Sequence, residues 1–436
     1  MAADTTAGID AQLTERAARV LPGPSLGTFM MPAGRPFVAA RGAGSKVYDV
    51  DGAAWIDYVL GSGPLILGHA HPAVVAAVGR QAALGSQFYA LNEPIIQLAE
   101  RMVEAIPCAE KVKFSSTGSE ATFLAMRLAR AATGRDKILK FEGGYHGHSD
   151  YAVVAYAPRR GGVYPVAPPD SAGVPLAAAG ETLVAPFNDA DLATELIERY
   201  RDELAAVIVE PMQRMIPPRP GFLAALRRAT AANNVLLIFD EVVTGFRLAW
   251  GGAQEHYGVV PDLACYGKTI GGGYPISAVC GPAAIMDLAD PRHRDEPDYV
   301  YFSGTFNGNP VAAAAGLATL DELARPGVYD RLRATALRLA TGLEEAITAT
   351  GARAQVLWDG PIVTVLFTDR PVVDYRSAQA VDRERQRRWN AELLDHGLLV
   401  NPVQQKWYLS TAHDDADIQR TIEIARAAFS QVTNDE

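Results

Sequence analysis

One lysine in this sequence stands where it could bond covalently to a carbonyl compound. In the stretch PDLACYGKTIGGGYPISAVCG, Lys268 follows a short apolar run and precedes three glycines, Gly271 to Gly273. An amine at a strand end, beside backbone without side chains, can reach a carbonyl carbon and form a Schiff base. Burial favours the neutral amine by lowering its pKa. Taken alone, the pattern also fits an exposed lysine in a flexible turn.

A carboxylate ends another apolar run, VLLIFDEVVTGF, at Asp240. Burying an ionised carboxylate is costly unless a cation accompanies it, and a protonated pyridine nitrogen is such a cation. Holding that nitrogen protonated makes the ring an electron sink. A helix cap or an ordinary ion pair explains Asp240 equally well in isolation. Because the adjacent Glu241 points to the opposite strand face, the two acids cannot act as a glycosidase pair.

Two loops could bind a phosphate group where a helix begins. In VKFSSTGSEATFLAMRLARAATG, a strand runs into Thr117-Gly118-Ser119 and then into an apolar-striped helix, whose first N–H groups suit an anion. In VYFSGTFNGNPVAAAAG, Thr305 precedes another helix. Ordinary N-capping is the simpler interpretation of both segments. The first is not a P-loop, because it has no Gly-Lys-Ser/Thr ending.

The stretch KFEGGYHGHSD contributes an aromatic residue and two histidines. Tyr145 follows a strand and two glycines, so its ring could stack on a flat heterocycle. His146 and His148, together with His69 and His71, could alternatively ligate a metal ion. No HExxH or paired CxxC motif accompanies them, so the sequence favours a site without metal.

The elements that must position these residues alternate between short apolar runs and helical windows from about His71 to Leu320. The apolar runs are VKFSS, KILKF, TLVAP, AAVIVE, VLLIFDE, LACYG and ISAVCG. This alternation predicts an α/β fold, a mostly parallel seven-stranded sheet flanked by helices. After it, helices over 328–350, 378–394 and 415–432 and the strands ARAQVLW and IVTVLFT predict a smaller α+β domain.

We expect three parts along the chain. Residues 1–60 form an N-terminal segment, with a hairpin around Asp51-Gly52, that packs on the small domain. Residues 61–322 form the large domain and residues 323–436 the small one. Within the large domain, 151–180 is rich in Pro, Gly and Ala without periodicity, which predicts a functional loop and a candidate lid.

Composition argues against several classes of protein. The 436 residues are 49% hydrophobic and 21% charged, which is typical of a folded protein with more than one domain. The net charge of −10 argues against nucleic acid as a partner. No apolar stretch approaches the roughly 20 residues of a membrane span, and no leader pattern begins the chain. Cys108, Cys265 and Cys280 indicate reduced thiols, so we expect a cytoplasmic protein.

Taken together, five short motifs resemble the ordered signature of the class III aminotransferases. They are Thr117-Gly118-Ser119, Tyr145-His146-Gly147, Glu210-Pro211, Asp240-Glu241-Val242 and Gly267-Lys268. The resemblance covers roughly residues 36 to 430 and implies fold type I of the enzymes that use pyridoxal 5′-phosphate (PLP). Within the family, GPLILGHAHP, FEGGYHGHSD and FSGTFNGNP are similar to the glutamate-1-semialdehyde aminomutases and to the β-amino-acid and D-phenylglycine aminotransferases.

The resemblance implies a role for each residue around the cofactor ring. Lys268 would carry PLP as a Schiff base and Asp240 would pair with the pyridine nitrogen. Tyr145 and Val242 would enclose the ring. Nitrogen would pass through pyridoxamine phosphate during the reaction.

The resemblance also implies which residues hold the rest of the cofactor. Thr117-Gly118-Ser119 would bind the phosphate, and Thr305 would reach it from the other subunit of a homodimer. His146 and Glu210 complete the expected cofactor-binding set.

Three departures from the aminomutases concern the substrate. The segment LPGPSLGTFMM has no arginine before Arg35, whereas an arginine there grips the substrate carboxylate in that group. After Glu210-Pro211 stands QRMIPPRPGF in place of a short Asn-Met-Gly loop, and NPVQQKWYLSTAH has Lys406 where an acidic residue is expected. Without the arginine that binds the substrate carboxylate, the site loses charge-assisted hydrogen bonds of about 1.5–3 kcal/mol each. Arg214 and Lys406 are candidates to replace that arginine.

The sequence therefore predicts an aminotransferase that moves nitrogen from an amino donor to a keto or aldehyde acceptor by a ping-pong mechanism. The alternative is an aminomutase, which returns the nitrogen to the same molecule. A minor alternative is an amine or aminosugar substrate without a nearby carboxylate. A non-catalytic protein of this fold is disfavoured, because Lys268, Asp240 and Tyr145 are all present.

Overall fold

The computed structural model describes residues 8–159, 161–402 and 406–434. These residues form two compact units. The larger contains Pro72–Tyr329 and Pro371–Gln379; the smaller contains the described residues before Pro72, Asp330–Arg370 and those from Ala380 onward. The larger unit begins at Pro72, where the sequence predicted residue 61, and the smaller unit resumes at Asp330, where the sequence predicted residue 323. The return of 371–379 to the larger unit is not evident from the sequence.

The strands follow one another along both units. In chain order they are β1 (Ala39–Ala43), β2 (Lys46–Asp49), β3 (Ala54–Asp57), β4 (Lys111–Ser115), β5 (Lys137–Phe141), β6 (Thr182–Ala185), β7 (Leu204–Val209), β8 (Leu236–Asp240), β9 (Leu263–Tyr266), β10 (Ser277–Gly281), β11 (Gln355–Asp359), β12 (Ile362–Leu366), β13 (Leu398–Leu399) and β14 (Trp407–Tyr408).

The helices alternate with these strands. In chain order they are α1 (Ile9–Val20), α2 (Pro72–Leu84), α3 (Glu93–Ala105), α4 (Gly118–Thr133), α5 (Leu176–Gly180), α6 (Ala190–Arg199), α7 (Phe222–Ala232), α8 (Gly252–Tyr257), α9 (Ala283–Met286), α10 (Pro310–Leu323), α11 (Val328–Thr350), α12 (Tyr375–Ala378), α13 (Arg383–Asp395) and α14 (Asp415–Asn434). Within the described ranges, none of them combines the length and apolarity that crossing a membrane demands.

The larger unit is built on a seven-stranded sheet of order β4-β10-β9-β8-β7-β5-β6. Each of the seven predicted apolar runs forms one of these strands, and the predicted α/β class is confirmed. Strands β5 to β9 pair in parallel, while β10 is antiparallel to both of its neighbours. Helices cover both sheet faces in such folds. Strand β7 is therefore buried along its whole length, and its sequence is an unbroken apolar run.

Helix α4 shows how the sequence seats an element on this sheet. Its buried residues recur on one face, and Leu124 and Leu128 are fully buried, each worth about 1.5–3 kcal/mol. The helix packs against β7, β8, β9 and β10. Gly134 ends it in the left-handed conformation, with φ at 67°. Its first turn therefore has a fixed position at the carboxyl end of the sheet.

The smaller unit contains two further sheets, of order β1-β2-β3-β13 and β11-β12-β14. The predicted hairpin around Asp51-Gly52 is confirmed as the antiparallel pair of β2 and β3. Aromatic rings form much of the core: Trp389 stacks on Trp407 with 5.6 Å between centroids, and Phe429 lies 5.0 Å from Trp389. This unit thus combines the described residues before Pro72 with most of those after Tyr329, and the predicted division into three parts stays a prediction.

The loop from Tyr151 to Gly180 has a small apolar core of its own. Val154, Ala155, Ala167 and Ala179 are buried together with Val184 of β6. The loop ends in the short helix α5. Its function as a lid stays a prediction.

Candidate functional site

Lys268 and Asp240 lie at the carboxyl ends of neighbouring parallel strands. Asp240 is the last residue of β8 and pairs with Cys265 of β9, and Lys268 follows just beyond the end of β9. Lys268 opens a short 3₁₀ turn in the left-handed conformation, with φ at 47°. Non-glycine residues hold such strained conformations mainly at functional sites. The fold thus brings together the two residues that the sequence analysis ranked first.

The electrostatic surroundings of Lys268 favour a neutral amine. The side chain is half-buried, and removal from water lowers its pKa. Asp240 and Glu210 act in the opposite direction, whereas Arg247 and Arg214 lower the pKa further. Since only the unprotonated amine attacks a carbonyl carbon, these surroundings suit nucleophilic chemistry.

The Asp240 carboxylate is buried and held in a fixed orientation. One oxygen accepts a hydrogen bond from the backbone N–H of Val242 at 3.2 Å, and the other lies 2.8 Å from Nδ1 of His146. Because an ionised carboxylate only accepts hydrogen bonds, Nδ1 of His146 is the donor. Since a carboxylate can accept about four hydrogen bonds, Asp240 can still accept from a second cationic or N–H partner.

Val242 contacts both loops that flank this carboxylate. A Cβ built on Gly118 would lie 2.9 Å from a methyl group of Val242, and one built on Gly267 would lie 3.3 Å from the same methyl. The start of α4 and the turn that carries Lys268 therefore both lie against the Val242 side chain. Glycine at 118 permits this approach, because any larger residue would displace Val242.

The loop after β5 closes another side of the site. Gly147 adopts φ at 90° and leaves no room for a side chain against Ser119, while the carbonyl of His146 accepts a 2.6 Å bond from Thr122 of α4. The backbone N–H of Tyr145 donates to Glu210 at 3.1 Å. Five separate stretches of sequence thus converge at one edge of the sheet.

The ring of Tyr145 remains available at this edge. The residue is 42% exposed, and the Arg214 guanidinium lies 5.3 Å from its ring centroid. Tyr156 approaches its edge at 6.2 Å. Arg214 also donates to the carbonyls of Gly143 at 2.8 Å and Tyr156 at 3.3 Å, so much of its bonding capacity is already used.

The hydroxyl of Thr117 serves as a helix cap. It accepts from the backbone N–H of Glu120, whose carboxylate in turn accepts from the N–H of Thr117, a reciprocal capping box. The contacts of Thr117 are therefore those of an ordinary helix N-cap, and its contact with a phosphate stays a prediction. The backbone N–H groups of Gly118 and Ser119 lie in the first turn of α4, where no intrahelical partner exists.

The remaining candidate residues differ in their exposure. Thr305 is exposed, and its carbonyl accepts from the side chain of Gln87. Lys406 is a buried residue of the smaller unit, directly before β14. His148 is exposed.

Two of the four histidines considered as metal ligands have carboxylate partners. Besides the bond between His146 and Asp240, His69 lies 2.7 Å from Asp57 in the smaller unit. In the described part of the chain, His, Cys, Asp and Glu form no group of three or more that could hold a metal ion.

A second buried carboxylate, not recognised from the sequence, lies beside the site. Glu142, directly after β5, accepts two bonds from Arg376, at 2.7 and 3.1 Å, and one from the Tyr164 hydroxyl at 2.7 Å. The raised pKa of Tyr164, due first to burial and then to its bond with Glu142, keeps that hydroxyl protonated. A signal existed, since Glu142 ends an apolar run much as Asp240 does. Its partner Arg376 lies too far along the chain to be paired by inspection.

Known proteins similar to this chain are class III aminotransferases and related aminomutases. The family model described as aminotransferase class-III matches residues 30–423. A glutamate-1-semialdehyde 2,1-aminomutase from Desulforudis audaxviator is 46% identical over 426 residues, which cover 96% of this chain and 97% of that protein.

Solved structures agree with the sequence matches. An omega-transaminase from Sphaerobacter thermophilus superimposes with a TM-score of 0.92 at 39% identity, covering 99% of both chains. A transaminase with PLP bound superimposes with a TM-score of 0.89 at 29% identity, covering 98% of this chain and 99% of the other.

Proposed function

The chain belongs to the class III aminotransferases, whose cofactor is PLP, and on that premise we propose that it transfers an amino group between an amino donor and a carbonyl acceptor by a ping-pong mechanism. The observation that carries the proposal is the juxtaposition of Lys268 and Asp240 at the ends of β8 and β9. These strands lie about 4.8 Å apart, a spacing that allows both residues to reach one small ring.

The residues of the site fit this cofactor. A buried carboxylate suits a pyridinium nitrogen, a half-buried lysine with lowered pKa suits an aldehyde, and the first turn of α4 suits a phosphate. Gly118 and Gly267 keep the surface beside Val242 flat, because neither carries a side chain. When bound, PLP supplies an electron sink conjugated to the substrate nitrogen.

Each side chain then has a defined task. Lys268 would hold the cofactor through Nζ and, when its amine is free, would move a proton at the substrate carbon. Asp240, oriented by His146, keeps the ring nitrogen protonated. Tyr145 and Val242 would flank the ring and exclude water, and Glu210 fixes the backbone at Tyr145.

The phosphate site is proposed to need a second copy of the chain. Gly118 and Ser119 supply N–H groups from one subunit, and Thr305 supplies its hydroxyl from the other. The loops around residues 85–92 and 301–309 support this, since Asn309 bonds to Ser86 and together they expose large apolar side chains. These are Phe88, Tyr89, Leu91, Tyr301 and Phe306. A patch of this kind is typical of a protein interface.

The substrate site differs from a simple carboxylate clamp. Arg35, the first arginine after the LPGPSLGTFMM segment, forms a bidentate pair with Asp395 at 2.6 and 2.5 Å. It is therefore engaged within the smaller unit. We propose Arg214 or, alternatively, Lys406 as the cation that binds a substrate carboxylate. With an amine or aminosugar substrate, neither is needed for this purpose.

The aminomutase reaction is the second candidate, and the 46% identity to a glutamate-1-semialdehyde 2,1-aminomutase favours it. It would use the same Lys268 and Asp240 but return nitrogen to the molecule that supplied it. The missing arginine before Arg35 favours the transferase, because an aminomutase of that group holds a carboxylate with it.

One experiment separates the two reactions. The holoenzyme is incubated with a panel of amines and amino acids, each with and without a keto or aldehyde acceptor, while the cofactor absorbance and the products are followed. A transferase converts its donor to a carbonyl product in an amount equal to the cofactor, and turns over further only when an acceptor is added. Sustained isomerisation of glutamate-1-semialdehyde alone would replace the proposal with the aminomutase. No conversion of any compound would refute both.

A further inference from the structure

The side of His146 that faces away from Asp240 ends at two unpaired polar atoms. Nε2 of His146 and Oε1 of Gln213 are both buried, and within the described ranges neither has a hydrogen-bond partner. His146 and Gln213 are each 1% exposed. A buried polar atom without a partner costs about 1–3 kcal/mol, so two of them beside each other call for an explanation.

Gly144 lies at the point where these two atoms converge. A Cβ built on Gly144 would be 3.2 Å from Nε2 of His146, 3.3 Å from Oε1 of Gln213 and 3.0 Å from the carbonyl oxygen of Phe141. Three polar atoms, and no apolar ones, are thus nearest to the position that a side chain would take. Any residue other than glycine would project between the histidine and the amide.

The orientation of the Gln213 amide follows from its other bond. Its nitrogen donates to the carbonyl of Glu142 at 2.8 Å, so its oxygen is the end that faces Gly144. An amide oxygen only accepts hydrogen bonds. The group beside Nε2 of His146 is therefore an acceptor, held in place at its opposite end.

We propose that Gln213 is a positioning residue for the cofactor site: one water molecule donates a hydrogen bond to its amide oxygen and another to the outer nitrogen of His146, so that Nε2 accepts while Nδ1 donates. This chain of contacts, from Gln213 through His146 to Asp240, fixes the imidazole ring so that Nδ1 donates to the Asp240 carboxylate. It thereby holds the carboxylate in a fixed orientation. The inference rests on the proposed role of Asp240, and it adds Gln213 and Gly144, for which the sequence analysis had no role.

The test uses two variants that disturb the same contact differently. Gln213→Met removes the acceptor with little change in volume, whereas Gly144→Ala leaves Gln213 and its bond to Glu142 in place but inserts a methyl group. The ring nitrogens of ¹⁵N-histidine-labelled protein are observed with and without PLP, the His146 signals being assigned by their loss in His146→Asn. A matched control is Gln97→Met, which alters an exposed glutamine on α3.

The proposal predicts that solvent exchange of the His146 ring N–H quickens by about tenfold in both variants, the effect of losing one hydrogen bond worth about 1.4 kcal/mol. The double variant adds little to either single one, because all break one contact. In the holoenzyme, kcat falls while KM for the amino donor stays within twofold. Unchanged His146 signals and exchange in Gln213→Met, with the protein folded, overturn the proposal.

If Gln213→Met does not fold, Gly144→Ala decides by the same measurement. The outcome is also separate from that of the proposed function. A wild-type protein that shows the protected His146 N–H but binds no PLP would refute the function and leave the contact standing.

Discussion

The buried amine of Lys140 offers a quantitative test of the electrostatics beneath the site. Lys140 is 1% exposed on β5, and it donates to the carbonyls of Ala152 and Val154 at 2.6 and 2.7 Å. Burial, with help from Arg214, lowers its pKa to about 7. A neutral amine has two N–H groups, which match these two carbonyls.

This lowered pKa makes stability depend on pH in a defined direction. Between about pH 7 and 10.5 the unfolded chain binds a proton at Lys140 that the folded protein does not, so the free energy of unfolding rises with pH. Integrating the two titrations gives a gain of about 2 kcal/mol between pH 7 and pH 9. Lys140→Met fills similar volume but has no proton to lose, so it lacks this gain.

The assay is urea unfolding of both proteins at pH 7, 8 and 9. Other titrating groups are common to the two proteins and cancel in the difference, which grows by about 2 kcal/mol in favour of the wild type. Lys111→Met, which changes an exposed lysine at the start of β4, serves as the control and shows no such trend. Parallel stability curves for wild type and Lys140→Met would refute the reasoning.

Two further predictions concern contacts around the site. Arg376→Met leaves the buried Glu142 with only its tyrosine partner, so it lowers the free energy of unfolding by about 1–2 kcal/mol, a value discounted because Arg376 is half exposed. Arg376→Lys recovers less than half of this loss, since a lysine cannot bond bidentately. Unchanged urea midpoints would contradict this prediction. In Gly118→Ala the added methyl group pushes against Val242, and the Kd for PLP rises about tenfold in an absorbance titration, even though alanine stabilises the helix more than glycine does. An unchanged Kd would show that the close approach of Gly118 to Val242 is unimportant.

Much of the larger unit could be predicted because its strands are buried on both faces. Strands with no solvent-facing side consist of unbroken apolar residues, so LACYG and AAVIVE were recognisable without any knowledge of their neighbours. The polar residue that follows each run then marks the carboxyl end of the sheet. Lys268 and Asp240 were found in this way.

The remaining parts depend on contacts between distant residues, which local patterns do not encode. Strand β10 is antiparallel to β9 because the chain turns back between the two strands. Arg376, which pairs with Glu142, belongs to residues 371–379 of the larger unit, and these stand in sequence between two parts of the smaller unit. The acceptor role of Gln213 depends on the missing side chain of Gly144. By contrast, the capping box of Thr117 and Glu120 could have been predicted, since Thr-x-x-Glu before an apolar run is its known signature.

The most direct test of the account is to identify the residue that carries the cofactor. The holoenzyme is treated with borohydride, which converts a lysine-bound PLP into a stable secondary amine, then digested and examined by mass spectrometry. The account predicts the added mass on the peptide containing Lys268, and its loss in Lys268→Ala together with the visible chromophore. A label on another lysine, or a Lys268→Ala protein that keeps its chromophore and turnover, would contradict it.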